Sequence, residues 1–584
     1  MKKISSKGFK LFWPYLTAYR KELGFASLFG LASGVTVVLM TYYIGVGVDL
    51  LIGAGEVDFS VLYRTLFLLA GILLVTVVSQ WLIQILANRV AYKSIAELRK
   101  DTFIHLNQLP LNYYDQTAHG NIVSRFTNDM DNVSVAVASV LMQLFSGVST
   151  LVVAFIFMMV LSPILTLVVL VATPVIFFVM WFVAKTSQYR FKSQQGITGE
   201  LSGFINERIL NQKIVKAFQQ EESSQEKFEV INQRLYVEGQ KAQFASSLTN
   251  PLSRVVDHLA YIAVGLVGGL LIIYGNTGVT IGIISSFTIY STQFTKPFIE
   301  ISGITTEIQL AIAGLDRTYD IMKQTIEKPD ETTAKVLTNA KGVVEFKQVD
   351  FAYKKDQPLI TDFSLKVYAG ETVAIVGKTG AGKSTLINLL MRFYDVDAGS
   401  ISIDGTDIRA ITRDSLRQSF GMVLQDTWLF DGSLRANLRY GNKEATDEMI
   451  YDALKKTYMY EYVIRLPEKL DTNIGASGIK VSEGQRQLLT IARTMISNPD
   501  MLILDEATSS VDTLTEQKIQ SAFLQMMEGH TSFVIAHRLS TIKNADQIIV
   551  LDQGHILEVG THEELLEKGG SYAKLHKAQF TVED

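Results

Sequence analysis

"VAIVGKTGAGKST" occupies residues 373–385. A run of buried-type residues ends abruptly in G-x-x-x-x-G-K-[ST]. Strand, then glycine-rich turn, then helix is the context in which this pattern cradles phosphates. Gly377, Gly380 and Gly382 let backbone N–H groups approach an anion closely, with Lys378, Thr379 and Ala381 between them. Lys383 is placed to meet the β- and γ-phosphates of a nucleotide. Ser384 offers a hydroxyl to Mg2+, and Thr385 continues into the helix whose N-terminus faces the anion.

The stretch "MLILDEAT" (501–508) supplies the second half of that chemistry. An apolar strand ends in two adjacent carboxylates, a pairing that packing alone rarely requires. Asp505 is expected in the metal shell, and Glu506 as the base that polarises an attacking water. Residues 343–584 therefore read as an α/β P-loop nucleotide-binding domain.

The N-terminal half has another character. Hydrophobic residues make up 48% of the 584-residue chain and charged residues only 19%, and mean hydropathy is +0.21. That is too apolar for a water-soluble protein of this size. Phe25–Val48 and Thr65–Asn88 each carry no charge, and neither does the run from Asn132 to Ala184, which "LSP" (161–163) divides in two. The run from His258 to Thr295 is likewise charge-free and is divided by "GNTG" (275–278). Six spans are predicted, each long enough for ~30 Å of hydrocarbon. Basic residues cluster before the first span and after the second and fourth, and the opposite loops carry almost none, so both termini are expected in the cytoplasm. "GFKLFWPYLTAYRKEL" (8–23) is predicted to lie along the interface as an elbow helix. The connections 89–131 and 185–250 keep helical periodicity, so the spans are expected to continue well beyond the bilayer. The polar stretch "EKPDETTAKVLTNAKG" (327–342) joins the halves. The resulting division is 1–328 membrane domain, 329–342 linker and 343–584 nucleotide-binding domain.

A net charge of −4 gives no basic field for nucleic acid. The absence of cysteine excludes disulfides, thiolate metal sites and a cysteine nucleophile.

Further short motifs stand in a fixed order around these two. They are "VDFAYKKDQPLI" (349–360), "GMVLQDTWLF" (421–430), "IKVSEGQRQ" (479–487), "SSVD" (509–512) and "VIAHRLST" (534–541). With them the whole chain resembles a half-transporter of the ATP-binding cassette exporter family, close to the catalytically competent subunit of bacterial heterodimeric multidrug exporters. The resemblance implies a six-helix transmembrane domain of the type IV exporter kind, followed by the ATPase domain. It implies ATP and Mg2+ as cofactors, and a bacterial cytoplasmic (inner) membrane as location. Tyr353 is expected to stack on the base, Gln425 to sit near Mg2+ and the attacking water, His537 to contact the γ-phosphate, and Asp512 to face across a dimer. "NYYDQTAHGNIVSRFTNDMD" (112–131) and "NERILNQKIVKAFQQEE" (206–222) resemble coupling helices, with Tyr114, Gly120, Asp129 and Glu207 at matching positions.

One segment departs from the family. Its signature usually runs L-S-G-G-Q and faces the partner's nucleotide. Here Ser482, Gly484 and Gln485 are present, but Glu483 places a carboxylate against a polyanion. "TNIGASG" (472–478) also lacks the charged pair usual there. An apparently complete phosphate loop beside a degraded signature resembles one half of an asymmetric heterodimer. The expected activity is ATP-driven efflux of hydrophobic or amphipathic compounds, with a second half-transporter, the lipid bilayer and hydrophobic small molecules as partners. A homodimeric lipid flippase is the alternative. A nucleotide-gated channel is disfavoured, since gating by binding alone needs no base at Glu506.

Within the membrane half, Arg254 and Asp257 read either as an i,i+3 ion pair or as groups facing a cavity. Asp49 reads as an outer gate or as a solvated carboxylate. Lys296, Pro297 and Glu300 suggest a kink towards the transport pathway.

Overall fold

The computed structural model describes residues 7–51, 57–275, 278–425, 427–475, 478–505, 511–536 and 539–580. Two compact units emerge. The first comprises residues 1–109 and 117–326, the second residues 110–116 and 327–584.

The first unit is all helix. Among the described residues five helices are long and apolar enough to cross a membrane: Arg20–Asp49, Phe59–Asn107, His119–Leu161, Arg254–Ile273 and Ile281–Met322. Six such spans were expected. The 48-residue helix Pro163–Leu210 opens with a shorter apolar stretch, Pro163–Val175. "LSP" is a one-residue hinge. Ser162 caps the new helix, its hydroxyl accepting from the Leu165 N–H at 3.4 Å. Pro163 stands in the first turn, where its missing N–H costs nothing. At the other expected turn, Asn276 and Thr277 lie outside the described residues.

The expected helical extensions are present. Phe59–Asn107 runs for 49 residues, or ~73 Å, and Glu221–Ser247 adds 27 more. The elbow segment forms the helix Lys7–Thr17. Its Phe12 is fully buried while Trp13 is 54% exposed, so one face packs inward and the other stays open.

Four polar residues of this unit differ from expectation or sharpen it. Asp129 is not a free docking residue: it is 6% exposed and accepts from Arg317 Nε at 2.7 Å. Arg254 and Asp257 make no ion pair among the described residues; Asp257 instead accepts from the Thr295 hydroxyl at 3.4 Å. Asp49 accepts from the Thr280 hydroxyl at 2.6 Å and from the Gly282 N–H at 2.7 Å. That ties the end of one span to the start of another.

The second unit is built on a six-stranded sheet. Its strands are β1 (Thr372–Gly377), β2 (Phe420–Val423), β3 (Met501–Asp505), β4 (Thr531–Ile535), β5 (Gln547–Asp552) and β6 (His555–Gly560). They lie in the order β6-β5-β1-β4-β3-β2, parallel except for β6. β1, β3, β4 and β5 are continuous apolar runs, as strands covered on both faces must be. A second, antiparallel sheet contains Val344–Phe351 and Ile360–Val367.

Within residues 329–342, expected to be a linker, several backbone donors bond to this unit. The Lys335 N–H donates to Ala410 O at 2.8 Å, Leu337 N–H to the Ser415 hydroxyl at 2.9 Å, and Ala340 N–H to Asp500 at 3.0 Å. Polar composition suits a loop, and these backbone donors have found partners on the domain.

Candidate nucleotide site

The parallel strands present their carboxyl ends along one edge, where ligands bind in open α/β sheets. β1 delivers the glycine-rich loop there. Ile535 of β4 pairs with Asp505 of β3, and Val423 of β2 pairs with Leu504. Gln425 follows two residues past the end of β2. The sheet order therefore brings Gly377, Asp505 and Gln425 to a common edge.

The loop has the backbone its glycines predict. Gly380 has φ +84° and Gly382 φ +101°, a region that side chains with a Cβ rarely adopt. A Cβ at Gly382 would also meet Ile360 Cδ1 at 2.8 Å. Helix α1 (Lys383–Leu390) starts at once with Gly382 as its N-cap. Lys383 folds back over the loop, its ammonium donating to Gly377 O at 2.7 Å and Lys378 O at 3.0 Å. Burial pulls this lysine below its ordinary pKa, and the nearby Asp505 carboxylate opposes the shift. Thus the cation is held in place by the loop before any phosphate arrives. Lys378, Thr379 and Ser384 are exposed, while Ala381 and Thr385 are buried.

The metal-shell candidates fit a hard divalent ion. Ser384, Gln425 and Asp505 offer a hydroxyl, an amide oxygen and a carboxylate, the donor set Mg2+ prefers. Ser384 and Gln425 are both exposed at the edge. Glu506, His537 and Arg538 lie outside the described residues, as do Asp426, Ser509 and Ser510.

Tyr353 is expected to be a stacking platform, and the structure gives its ring neighbours of its own. Phe351 and Tyr394 meet it edge-on, with ring centroids 5.0 Å away in both cases. The Tyr353 hydroxyl reaches Thr385 of α1 at 3.4 Å and accepts from Asn388 at 3.0 Å. With 39% of the residue exposed, surface remains for a base. Tyr394, which sequence reasoning passed over, also donates to Asp115. Asp115 lies in the short helix Leu111–Gln116, within the residues that group with this unit. Tyr114, in the same helix, has its hydroxyl pKa raised by burial. Gly120 and Glu207 belong to the other unit.

The signature segment opens helix α2 (Glu483–Ser497). Ser482 and Gln485 form a reciprocal cap: Gln485 N–H donates to the Ser482 hydroxyl at 3.3 Å, and Ser482 N–H donates to Gln485 Oε1 at 2.9 Å. This S-x-x-Q capping box, which sequence reading passed over, is a property of the helix itself. Gly484 is buried, and a Cβ there would meet Thr515 Cγ2 at 2.4 Å. Thr515 belongs to helix α3 (Thr513–Met527), so the glycine permits a close helix contact. Glu483 takes the first helical position. It pairs with Arg486 at 3.1 Å and accepts from the Thr427 hydroxyl at 3.2 Å. A carboxylate at a helix N-terminus is favoured by the macrodipole. Here the protein's own anion stands where an external phosphate is expected. Asp512 caps α3, accepting from Thr515 N–H at 2.9 Å, and that bond lowers its pKa. In the stretch before α2, Gly475 has φ +107° and sits against Asp431; Ala476 and Ser477 lie outside the described residues.

Known proteins resemble both halves of this chain. Residues 23–298 match the family model described as ABC transporter transmembrane region, and residues 360–509 that described as ABC transporter. An uncharacterized ABC transporter ATP-binding protein of Bacillus subtilis (strain 168) is 37% identical over 568 residues, covering 97% of this chain and 93% of that protein. A fatty acid ABC transporter ATP-binding/permease protein of Mycobacterium bovis is 39% identical over 532 residues, covering 91% and 84%. Among solved structures, a bacterial Atm1-family ABC exporter with ATP bound superposes with a TM-score of 0.77 at 27% identity, covering 97% of this chain and 99% of that one. The chain belongs to the ABC transporter family: it is a multi-span membrane protein of the exporter type, with an ATPase domain that follows the membrane domain and couples hydrolysis to transport.

Proposed function

We propose that this chain is the hydrolytic half of a heterodimeric exporter that expels hydrophobic or amphipathic compounds, drugs among them, across a bacterial cytoplasmic membrane. In this reading residues 1–328 form the membrane domain with six spans and both termini on the cytoplasmic side. Residues 343–584 form the nucleotide-binding domain.

The phosphate loop Gly377–Thr385 grips ATP, with Lys383 on the β- and γ-phosphates and Tyr353 beside the base. Ser384, Gln425 and Asp505 hold Mg2+, which when bound neutralises phosphate charge and orients the leaving group. Glu506 polarises the water, and His537 contacts the γ-phosphate. The intact signature for this site comes from a different half-transporter. Ser482, Glu483, Gly484 and Gln485 face the partner's phosphate loop, at a site that binds nucleotide and hydrolyses it poorly. Asp512 lies beside that interface.

The observation that carries the asymmetry is the Glu483 carboxylate at the first position of α2, fixed by Arg486 and Thr427. A second copy of this chain would duplicate that carboxylate at both sites. A fatty acid transporter among the relatives supports an amphipathic cargo. The test is expression of the chain alone and with candidate half-transporters, reading ATPase and dye efflux for wild type and Glu506→Gln. Activity only in the mixed complex, abolished by the mutation, is expected. A transport-active complex of this chain alone overturns the heterodimer, and efflux that survives Glu506→Gln overturns the role of Glu506.

A further inference from the structure

The phosphate-loop helix α1 ends in an arginine cluster that no phosphate chemistry requires. Arg392, just beyond it, is 8% exposed and has φ +50°. That left-handed conformation is uncommon for a residue with a Cβ and needs support from its surroundings. Support is present. Arg392 Nη1 donates to Ile408 O and Ile411 O, both at 3.1 Å, and its guanidinium pairs with Asp395 at 3.1 Å and Asp330 at 3.4 Å.

Arg417 grips the same helix end. It donates to Arg392 O at 3.1 Å and Met391 O at 3.4 Å, carbonyls that leave a helix C-terminus without partners. Its other bond is to Glu327 at 3.3 Å. Arg413, 8% exposed, binds Glu327 at 3.2 Å, Asp330 at 2.7 Å and Lys328 O at 2.8 Å. Its backbone N–H also donates to Asp330 at 2.8 Å. Glu327–Asp330 is the first chain of the ATPase unit after the membrane half's last helix, Thr305–Met322.

Thus one eight-residue helix has a phosphate loop at its N-terminus, and its C-terminus is clamped to the chain that leaves the membrane half. We propose that Arg392, Arg413 and Arg417, with Glu327 and Asp330, form a coupling joint. It passes displacement of the phosphate-loop helix on ATP binding directly into the segment 323–330. These are positioning residues, at the end of α1 away from the phosphate loop. Mostly buried charges suit such a joint, because each fixes several partners at set angles, and Arg–carboxylate pairs transmit direction as well as force. A single loss leaves a buried charge uncompensated.

The inference rests on the phosphate loop binding ATP, and the experiment separates the two. Full-length protein in lipid nanodiscs is probed by hydrogen exchange of residues 305–330 with and without Mg-ATP. Wild type is expected to change its exchange in this segment when ATP is added. Glu327→Gln should bind ATP within about twofold of wild type yet lose most of that change, by about tenfold. A merely structural role would raise exchange in both states and leave the ATP-induced difference intact. Persistence of that difference in Glu327→Gln overturns the joint. Wild type that fails to bind ATP overturns the reading of the phosphate loop instead. If Glu327→Gln proves unstable, Glu327→Asp, which keeps the charge but shortens the reach, should show a reduced ATP-induced difference; a full one overturns the joint.

Discussion

Arg486 reaches back one helical turn to Glu483, closing an ion pair of 3.1 Å at the very start of α2. Two unit charges ~5 Å apart repel by roughly 3 kcal/mol at an effective dielectric of ~20. A bare carboxylate there would therefore disfavour a nucleotide strongly. The pair softens this without cancelling it, since the side chains of Glu483 and Arg486 are 50% and 38% exposed and exposed pairs are screened. Glu483→Gly should tighten ATP trapping at the site this signature completes several-fold. Arg486→Ala should weaken it, and should have much less effect once Glu483 is glycine. Azido-ATP labelling of each subunit, in all four combinations, measures the coupling directly. Equal labelling in Glu483→Gly and wild type would remove the electrostatic account.

How much of this site was legible beforehand varies with the physics involved. The loop of Gly377–Thr385 was readable because its geometry is local: glycines with positive φ leave few alternatives. Asp505 was readable for the same reason, as a polar residue ending an apolar strand; Glu506 lies outside the described residues. The environment of Glu483 was only half visible. Arg486 lies three residues on, at ordinary helix spacing, and the Ser482–Gln485 box follows a known pattern that sequence reading passed over. Thr427 is distant in sequence, and only the fold brings it there. Asp129 and Tyr394 illustrate the same limit. Their partners, Arg317 and Asp115, are 188 and 279 residues away, and no periodicity announces a contact of that range. Residues 329–342 are polar, as expected of a linker, and composition gives no sign of the bonds from Lys335, Leu337 and Ala340 to Ala410, Ser415 and Asp500.

Gly382→Ala tests the loop backbone. A Cβ at φ +101° is strained, and it would lie 2.8 Å from Ile360 Cδ1. The loop must shift, and Lys383 with it. Nucleotide affinity should fall by about tenfold or more, given a strain of ~1–3 kcal/mol, while the fold of the sheet persists. Calorimetric titration with ATP reads the loss. Affinity equal to wild type would show that the loop accommodates ligand in another conformation.

Asp512 caps α3 and is proposed to face across a dimer, and substitution can part the two. As the cap of α3 it accepts from Thr515 N–H, a bond worth ~1 kcal/mol. Asp512→Asn keeps an acceptor and loses the charge; Asp512→Ala loses both. Hydrogen exchange at Thr515 should rise in the alanine variant alone. If ATPase activity falls in both, the charge acts across the dimer. Activity lost only with alanine would reduce this residue to its cap.

The last helices carry a proton-sensitive contact. His562 Nδ1 lies 2.6 Å from the hydroxyl of Tyr572, which is 2% exposed. The His576 ring is 5.5 Å away. Burial lowers the His562 pKa first, then His576 and Lys543, with Glu563 opposing them. Its place at the start of the helix His562–Glu567 adds the macrodipole to the forces against a positive charge. A histidine whose folded pKa is depressed stays neutral in the native state, while the unfolded chain takes up a proton near its ordinary value of ~6.5. Its stabilising contribution is complete above that value and is lost as pH falls through it towards the lower folded pKa. The unfolding midpoint should therefore drop between about pH 7.5 and about pH 5.5. His562→Asn, which cannot charge, should drop less over the same interval. Denaturation followed by tryptophan fluorescence at both values compares the slopes. Identical slopes for variant and wild type would mean that His562 does not sense protons in the folded domain, and the acid sensitivity would then belong to carboxylates elsewhere.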